Sequence, residues 1–117
     1  MNDKYNILNL STINELKEIL EDDIFAIYDE FQTSTKKMLQ DLKKAHEAGD
    51  SNAVLHLSHT IKGSCSNIGL QRIFEITRQI ENGLRENTNP DIARLIQETE
   101  SAYTATLAAL KAEGLLP

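Results

Sequence analysis

The sequence predicts an all-α fold: an up-and-down antiparallel four-helix bundle with an additional short helix at its N-terminal side. Three observations point to it. Apolar residues recur at three- and four-residue spacing through most of the chain, which marks amphipathic helices. No stretch alternates apolar and polar residues between hairpin-turn signals, as paired strands would require. The breaks between periodic stretches are short, so consecutive helices must fold back on one another. Composition agrees, because 40% of the residues are hydrophobic but only 5% aromatic, with no Trp, which suits aliphatic packing between helices.

In chain order, residues 1–10 read as an arm in which Ile7, Leu8 and Leu10 can pack on the bundle, itself about 11–112 of a single domain spanning 1–117. Ser11 is a candidate N-cap for a first helix carrying Ile13, Leu16 and Leu20. The acidic run Glu21-Asp22-Asp23 then opens a second, longer helix, where carboxylates suit the positive end of the dipole. Its stripe is Ile24, Tyr28, Phe31, Thr35, Met38, Leu42 and Ala45. Gly49 fits its C-terminal cap and Asp50 the N-cap of the next helix, which runs from about Ser51 to Asn67 and stops near Gly69. Leu70 starts a helix with Ile73, Ile76, Thr77, Ile80 and Leu84 inward and Arg72, Arg78, Arg85 and Glu86 outward. Asn89 as N-cap with Pro90 at N1 begins the last helix, striped by Ile92, Leu95, Ile96, Thr99, Tyr103, Leu107 and Leu110.

Several function classes are excluded at this level. A net charge of −6 lacks the basic footprint that general nucleic-acid binding needs. No apolar run approaches the roughly 20 residues of a membrane span, and the N-terminus lacks the layout of a signal peptide. Cys65 is the only cysteine, so no internal disulfide forms and a cytoplasmic setting is expected. The five glycines make no phosphate-binding loop, so the chain is not expected to phosphorylate itself from a nucleotide.

The chemistry concentrates in the third long stretch. Val54, Ile61, Cys65 and Ile68 define the inward stripe, and His59 lies about 160° around the helix from Ile61. The imidazole therefore points to solvent. Lys62 and Gly63, one turn on, share its face. A mid-helix glycine costs on the order of 1 kcal/mol against alanine, a cost usually met where something approaches the backbone closely. An exposed imidazole with a cation beside it and cleared space beyond suits acceptance of a bulky anion, phosphoryl above all. His56, at i−3 from His59, makes only a weak metal pair because no carboxylate or cysteine joins it. His46 and the pairs Lys36-Lys37 and Lys43-Lys44 read as solvated positions.

His59-Thr60-Ile61-Lys62-Gly63-Ser64, followed by Asn67-Ile68-Gly69, resembles the signature of histidine-containing phosphotransfer (HPt) domains. The likeness extends to Ala45-His46-Glu47-Ala48-Gly49-Asp50 upstream and Gln79-Ile80-Glu81 downstream, from about Ile13 to Leu110. It implies a stoichiometric phosphocarrier of a two-component phosphorelay rather than an enzyme. His59 would be the phosphoacceptor, Lys62 would offset phosphoryl charge, and Gly63 would leave room for the phosphoryl group and the partner's loops. HPt domains often place a Gln or Glu on the following helix to orient the imidazole, and the resemblance puts Glu81 there. Arg78 and Arg85, at i−3 and i+4, are rival partners for that carboxylate.

The implied partners are receiver domains of response regulators or hybrid histidine kinases. They would carry the aspartate and the Mg²⁺, leaving this chain with no cofactor or metal of its own. Leu55 and Ser66 beside His59, and Phe25 near the start of the second helix, are candidate partner contacts, Phe25 equally a cap on the end of the bundle. Gly69 suits a close turn. A short chain beginning at Met1 is expected to be a stand-alone monomeric carrier, with excision from a larger kinase also open. The competing reading is a phosphorylation-independent interaction module of the same fold, binding a kinase or receiver partner.

Overall fold

Local capping decides where the helices begin, and the apolar stripes decide how they pack. The computed structural model describes residues 5–88 and 90–117. It contains α1 (Leu10–Leu20), a single 3₁₀ turn (Glu21–Asp23), α2 (Ile24–Glu47), α3 (Ser51–Ser66), α4 (Gln71–Arg85) and α5 (Ile92–Ala112), with no strand among the described residues. Helices α2 to α5 form the expected antiparallel bundle, in which α3 packs on α2 and α4, and α5 on α4 and α2. The short α1 lies against the start of α2.

Several boundaries differ from expectation. Asn9 rather than Ser11 caps α1, its Oδ1 accepting from the Thr12 N–H at 3.2 Å. The acidic run does not open α2 but forms the 3₁₀ turn before it, entered through Glu21 at φ 50°. Asp50 caps α3 as expected, accepting from Ala53 N–H at 3.1 Å. Ala48 occupies the C-cap of α2, and Gly49, at φ +72°, takes the left-handed position just beyond it. Leu70 is the N-cap of α4 rather than its first residue. The expected cap Asn89 lies outside the described residues; Asp91 caps α5 by accepting from Arg94 N–H at 3.1 Å, so Pro90 precedes the helix instead of occupying its first turn. Pro90 packs against Gly83, where a side chain would collide with its ring.

The core joins the stripes of all five helices, including Ile13, Tyr28, Leu42, Ile61, Ile73, Ile80 and Leu110, each fully or almost fully buried. Burying one such aliphatic side chain contributes about 1.5–3 kcal/mol. On α2 Leu39 joins the core in place of the expected Met38, and Met38 and Ala45 are only partly buried. Burial pushes the Tyr28 phenol up to about 12, and its hydroxyl donates to Ile68 C=O at 2.9 Å. That bond ties α2 to the end of α3. At the far side Tyr103 OH donates to Gln32 C=O at 2.6 Å, pinning α5 to α2. Cys65 faces the core with its thiol pushed up to about 12 by burial, as an inert packing residue.

The α3–α4 turn is clipped by the N-terminal arm. Asn9 N–H donates to Gly69 C=O at 2.7 Å, and Arg72 donates through Nε to Tyr5 C=O at 3.0 Å. Gly69 sits at φ +76°, and a Cβ there would lie 2.7 Å from Ile13 Cγ1 and 2.9 Å from Asn9 O. Both conformation and space demand glycine. Gly69→Ala should therefore cost about 2 kcal/mol or more, while Gly49→Ala, with a similar φ but open space, should cost about 1 kcal/mol. Urea unfolding of the two variants tests the difference; equal losses would mean the arm contact contributes nothing.

Candidate functional site

The site is built on two rigid helices rather than on loops. The α3 stripe of Val54, Ile61 and Cys65 turns His59 outward, leaving its side chain 57% exposed. Lys62, one turn later, is 25% exposed. Across the groove α4 presents Glu81, which is 3% exposed and projects between the two. Its Oε2 lies 2.8 Å from His59 Nδ1 and its Oε1 lies 2.6 Å from Lys62 Nζ. Arg85, one turn further along α4, reaches Oε2 through both Nε and Nη2 at 2.9 Å.

One buried carboxylate thus holds an imidazole, an ammonium and a guanidinium. Burial alone would raise the Glu81 carboxyl, but the bonds from Lys62, His59 and Arg85 outweigh it and hold the group down at about 2. Glu81 is therefore ionised at neutral pH and can only accept hydrogen bonds. It follows that His59 Nδ1 carries the proton it donates to Glu81. In the neutral ring Nε2 is then the atom with the free electron pair.

The open question of which group Glu81 meets has a two-sided answer. It binds both His59 and Arg85, whereas Arg78 turns back to Glu75, with Nη2–Oε2 at 2.6 Å. The Lys62 contact to Glu81 was not foreseen. The i,i+4 spacing of Glu81 and Arg85 signals their pair, but no spacing within one helix reports a bond between α3 and α4. Nor was the burial of Ser58 foreseen; its hydroxyl donates to Val54 C=O at 2.7 Å.

The flanking positions are also in place. Gly63 is exposed, and a Cβ there would meet nothing within 4 Å, so the isolated fold does not require glycine at this point. Ser64 and Ser66 are exposed, and each donates back into its own helix, to Ile61 C=O and Gly63 C=O respectively. Leu55 is half-buried on the His59 side of α3. Phe25 is 48% exposed and borders a cavity of about 520 Å³ with Ala26, Asp29 and the C-terminal residues Leu115 to Pro117. It does not share the cluster around Glu81.

The family model described as Hpt domain matches residues 26–113, which includes every member of that cluster. This chain belongs to the Hpt domain family. Among solved structures its fold is similar to histidine-containing phosphotransfer protein B (HptB) from Pseudomonas aeruginosa PAO1. The TM-score is 0.85 at 26% sequence identity, over 92% of this chain and 93% of that one. No curated protein matches the chain. As an Hpt domain, the chain serves as a histidine phosphocarrier in a phosphorelay and engages receiver domains and kinases. No helix among the described residues is long and apolar enough to cross a membrane.

The low Glu81 value fixes the sign of a pH effect. A carboxyl held at about 2 against an ordinary 4.5 contributes stability that is complete above 4.5 and lost as pH falls through about 2. Glu81→Gln should be less stable than the parent at pH 7 by about 1–3 kcal/mol, because its former cations are partly exposed and recover water. The gap should close between about pH 4.5 and 2. Chemical denaturation across that window tests this, and a constant gap would place the interaction elsewhere.

Proposed function

We propose that His59 is the phosphoacceptor of this Hpt domain, exchanging phosphoryl with the aspartate of a receiver domain through Nε2. The observation carrying this is the short Nδ1–Glu81 contact, which fixes the tautomer and leaves the exposed nitrogen as nucleophile. The Nε2 electron pair forms the N–P bond as the acyl-phosphate O–P bond breaks, and the aspartate departs as a carboxylate. The Nδ1 proton stays in place, so the phosphorylated ring is cationic and Glu81 offsets its charge. Lys62 neutralises charge on the phosphoryl oxygens as a mobile point charge.

Gly63 keeps the approach open for phosphoryl and for the partner's loops. In-line positioning and charge stabilisation account for most of phosphoryl-transfer catalysis, and here they are shared across a transient interface. The receiver partner supplies the aspartate and Mg²⁺. This chain supplies the nucleophile and acts as a stoichiometric carrier rather than an enzyme, with neither metal nor nucleotide site of its own. Leu55 and Ser66 extend the contact around His59, Phe25 adds an exposed apolar partner contact at the start of α2, and the carrier works as a cytoplasmic monomer of one domain.

Incubation with a phosphorylated receiver should place acid-labile, base-stable label on the parent and none on His59→Gln, with melting behaviour preserved. A labelled His59→Gln protein would move the acceptor elsewhere. Lys62→Ala should lower the labelled fraction at equilibrium without unfolding the chain, and an unchanged fraction would remove its electrostatic role. Gly63→Ala should stabilise the fold by up to about 1 kcal/mol yet slow transfer. The bulkier Gly63→Leu should slow transfer further; transfer at the parental rate by both would reject the clearance role.

A further inference from the structure

The cation proposed to meet the phosphoryl group is not free in this structure. Lys62 Nζ is engaged with Glu81 Oε1 at 2.6 Å, whereas both Arg85 contacts and the His59 contact fall on Oε2. Oε1 accepts no hydrogen bond, and the Lys62 ammonium is the one cation set against it among the described residues. If it moves to a phosphoryl group on His59, that oxygen loses its partner inside a side chain only 3% exposed. A buried carboxylate oxygen left without its counter-charge carries a desolvation cost, which would oppose phosphorylation.

Arg85 has the geometry to remove this cost. Its guanidinium already lies against Glu81, and its planar fork matches a carboxylate edge with one N–H to each oxygen. Both of its contacts now fall on Oε2, at 2.9 Å. We propose that Arg85 is a positioning residue that takes over Glu81 Oε1 when Lys62 leaves for the phosphoryl group. Phosphorylation then exchanges cations on the buried carboxylate instead of stripping one away. This proposal rests on the assignment of His59 as acceptor. Arg85 does not touch the phosphoryl group in this scheme; it acts through Glu81 and Lys62.

A double-mutant cycle on the phosphoryl equilibrium tests it. The parent, Arg85→Gln, Lys62→Ala and the double variant are each mixed with a phosphorylated receiver that labels the parent. The equilibrium ratio of phosphohistidine to phosphoaspartate is then read for each. Arg85→Gln should shift the ratio toward the receiver by roughly fivefold or more in the Lys62 background, and have little further effect once Lys62 is Ala. Arg85→Lys keeps the charge without the fork and should behave like Arg85→Gln; it carries the test if Arg85→Gln melts early.

Three results would overturn the exchange. They are an unshifted ratio in Arg85→Gln, full restoration by Arg85→Lys, and effects of Arg85 and Lys62 that multiply, which would put the guanidinium on the phosphoryl group itself. A parent that accepts no label would instead overturn the assignment of His59.

Discussion

The carboxylate of Glu81 is the constraint on which the site depends. Burying a charge is costly unless it is paired, and this one is buried between two helices where only donors from both can satisfy it. His59 and Lys62 come from α3, Arg85 from α4. The carboxylate therefore fixes the mutual setting of the helices as well as the tautomer of the imidazole. Structural and chemical roles coincide in one side chain.

The fold presents this arrangement through ordinary means. Apolar stripes set the rotation of each helix, and a turn of about 100° toward the position of buried Ser58 would take His59 from solvent to the core. Tyr28 tied to Ile68 and the arm tied to Gly69 secure the far end of the same helix, so its pitch and depth are set from two sides. The site has no loop to order before it works. The moving parts it needs are the ends of two long cationic side chains.

Periodicity made the bundle readable, because each helix is long enough for its stripe to be unmistakable, and the motif made His59, Lys62 and Gly63 readable. What stayed hidden involves competition or contact across helices. Asn9 and Ser11 are both good caps, and only the tertiary path of the chain selects between them. Met38 and Leu39 are adjacent apolar residues, and the packing of neighbours decides which goes deeper. Glu81 was expected from family likeness as an acceptor, but its near-complete burial contradicts the usual behaviour of carboxylates. Nothing within α4 foretells a lysine arriving from α3.

Cys65 lends the molecule a gauge of its own motion. Its sulfur is sealed in the bundle core, three residues beyond Lys62 and about 120° around α3 from His59, with the thiol held almost wholly protonated by burial. A soluble alkylating reagent cannot meet it while the helices and the arm are packed over it. Each modification therefore records an excursion in which the packing over this end of α3, the arm at Asn9 included, has opened. The same packing that keeps the sulfur silent turns its slow modification into a clock for how often this end of the helix is uncovered.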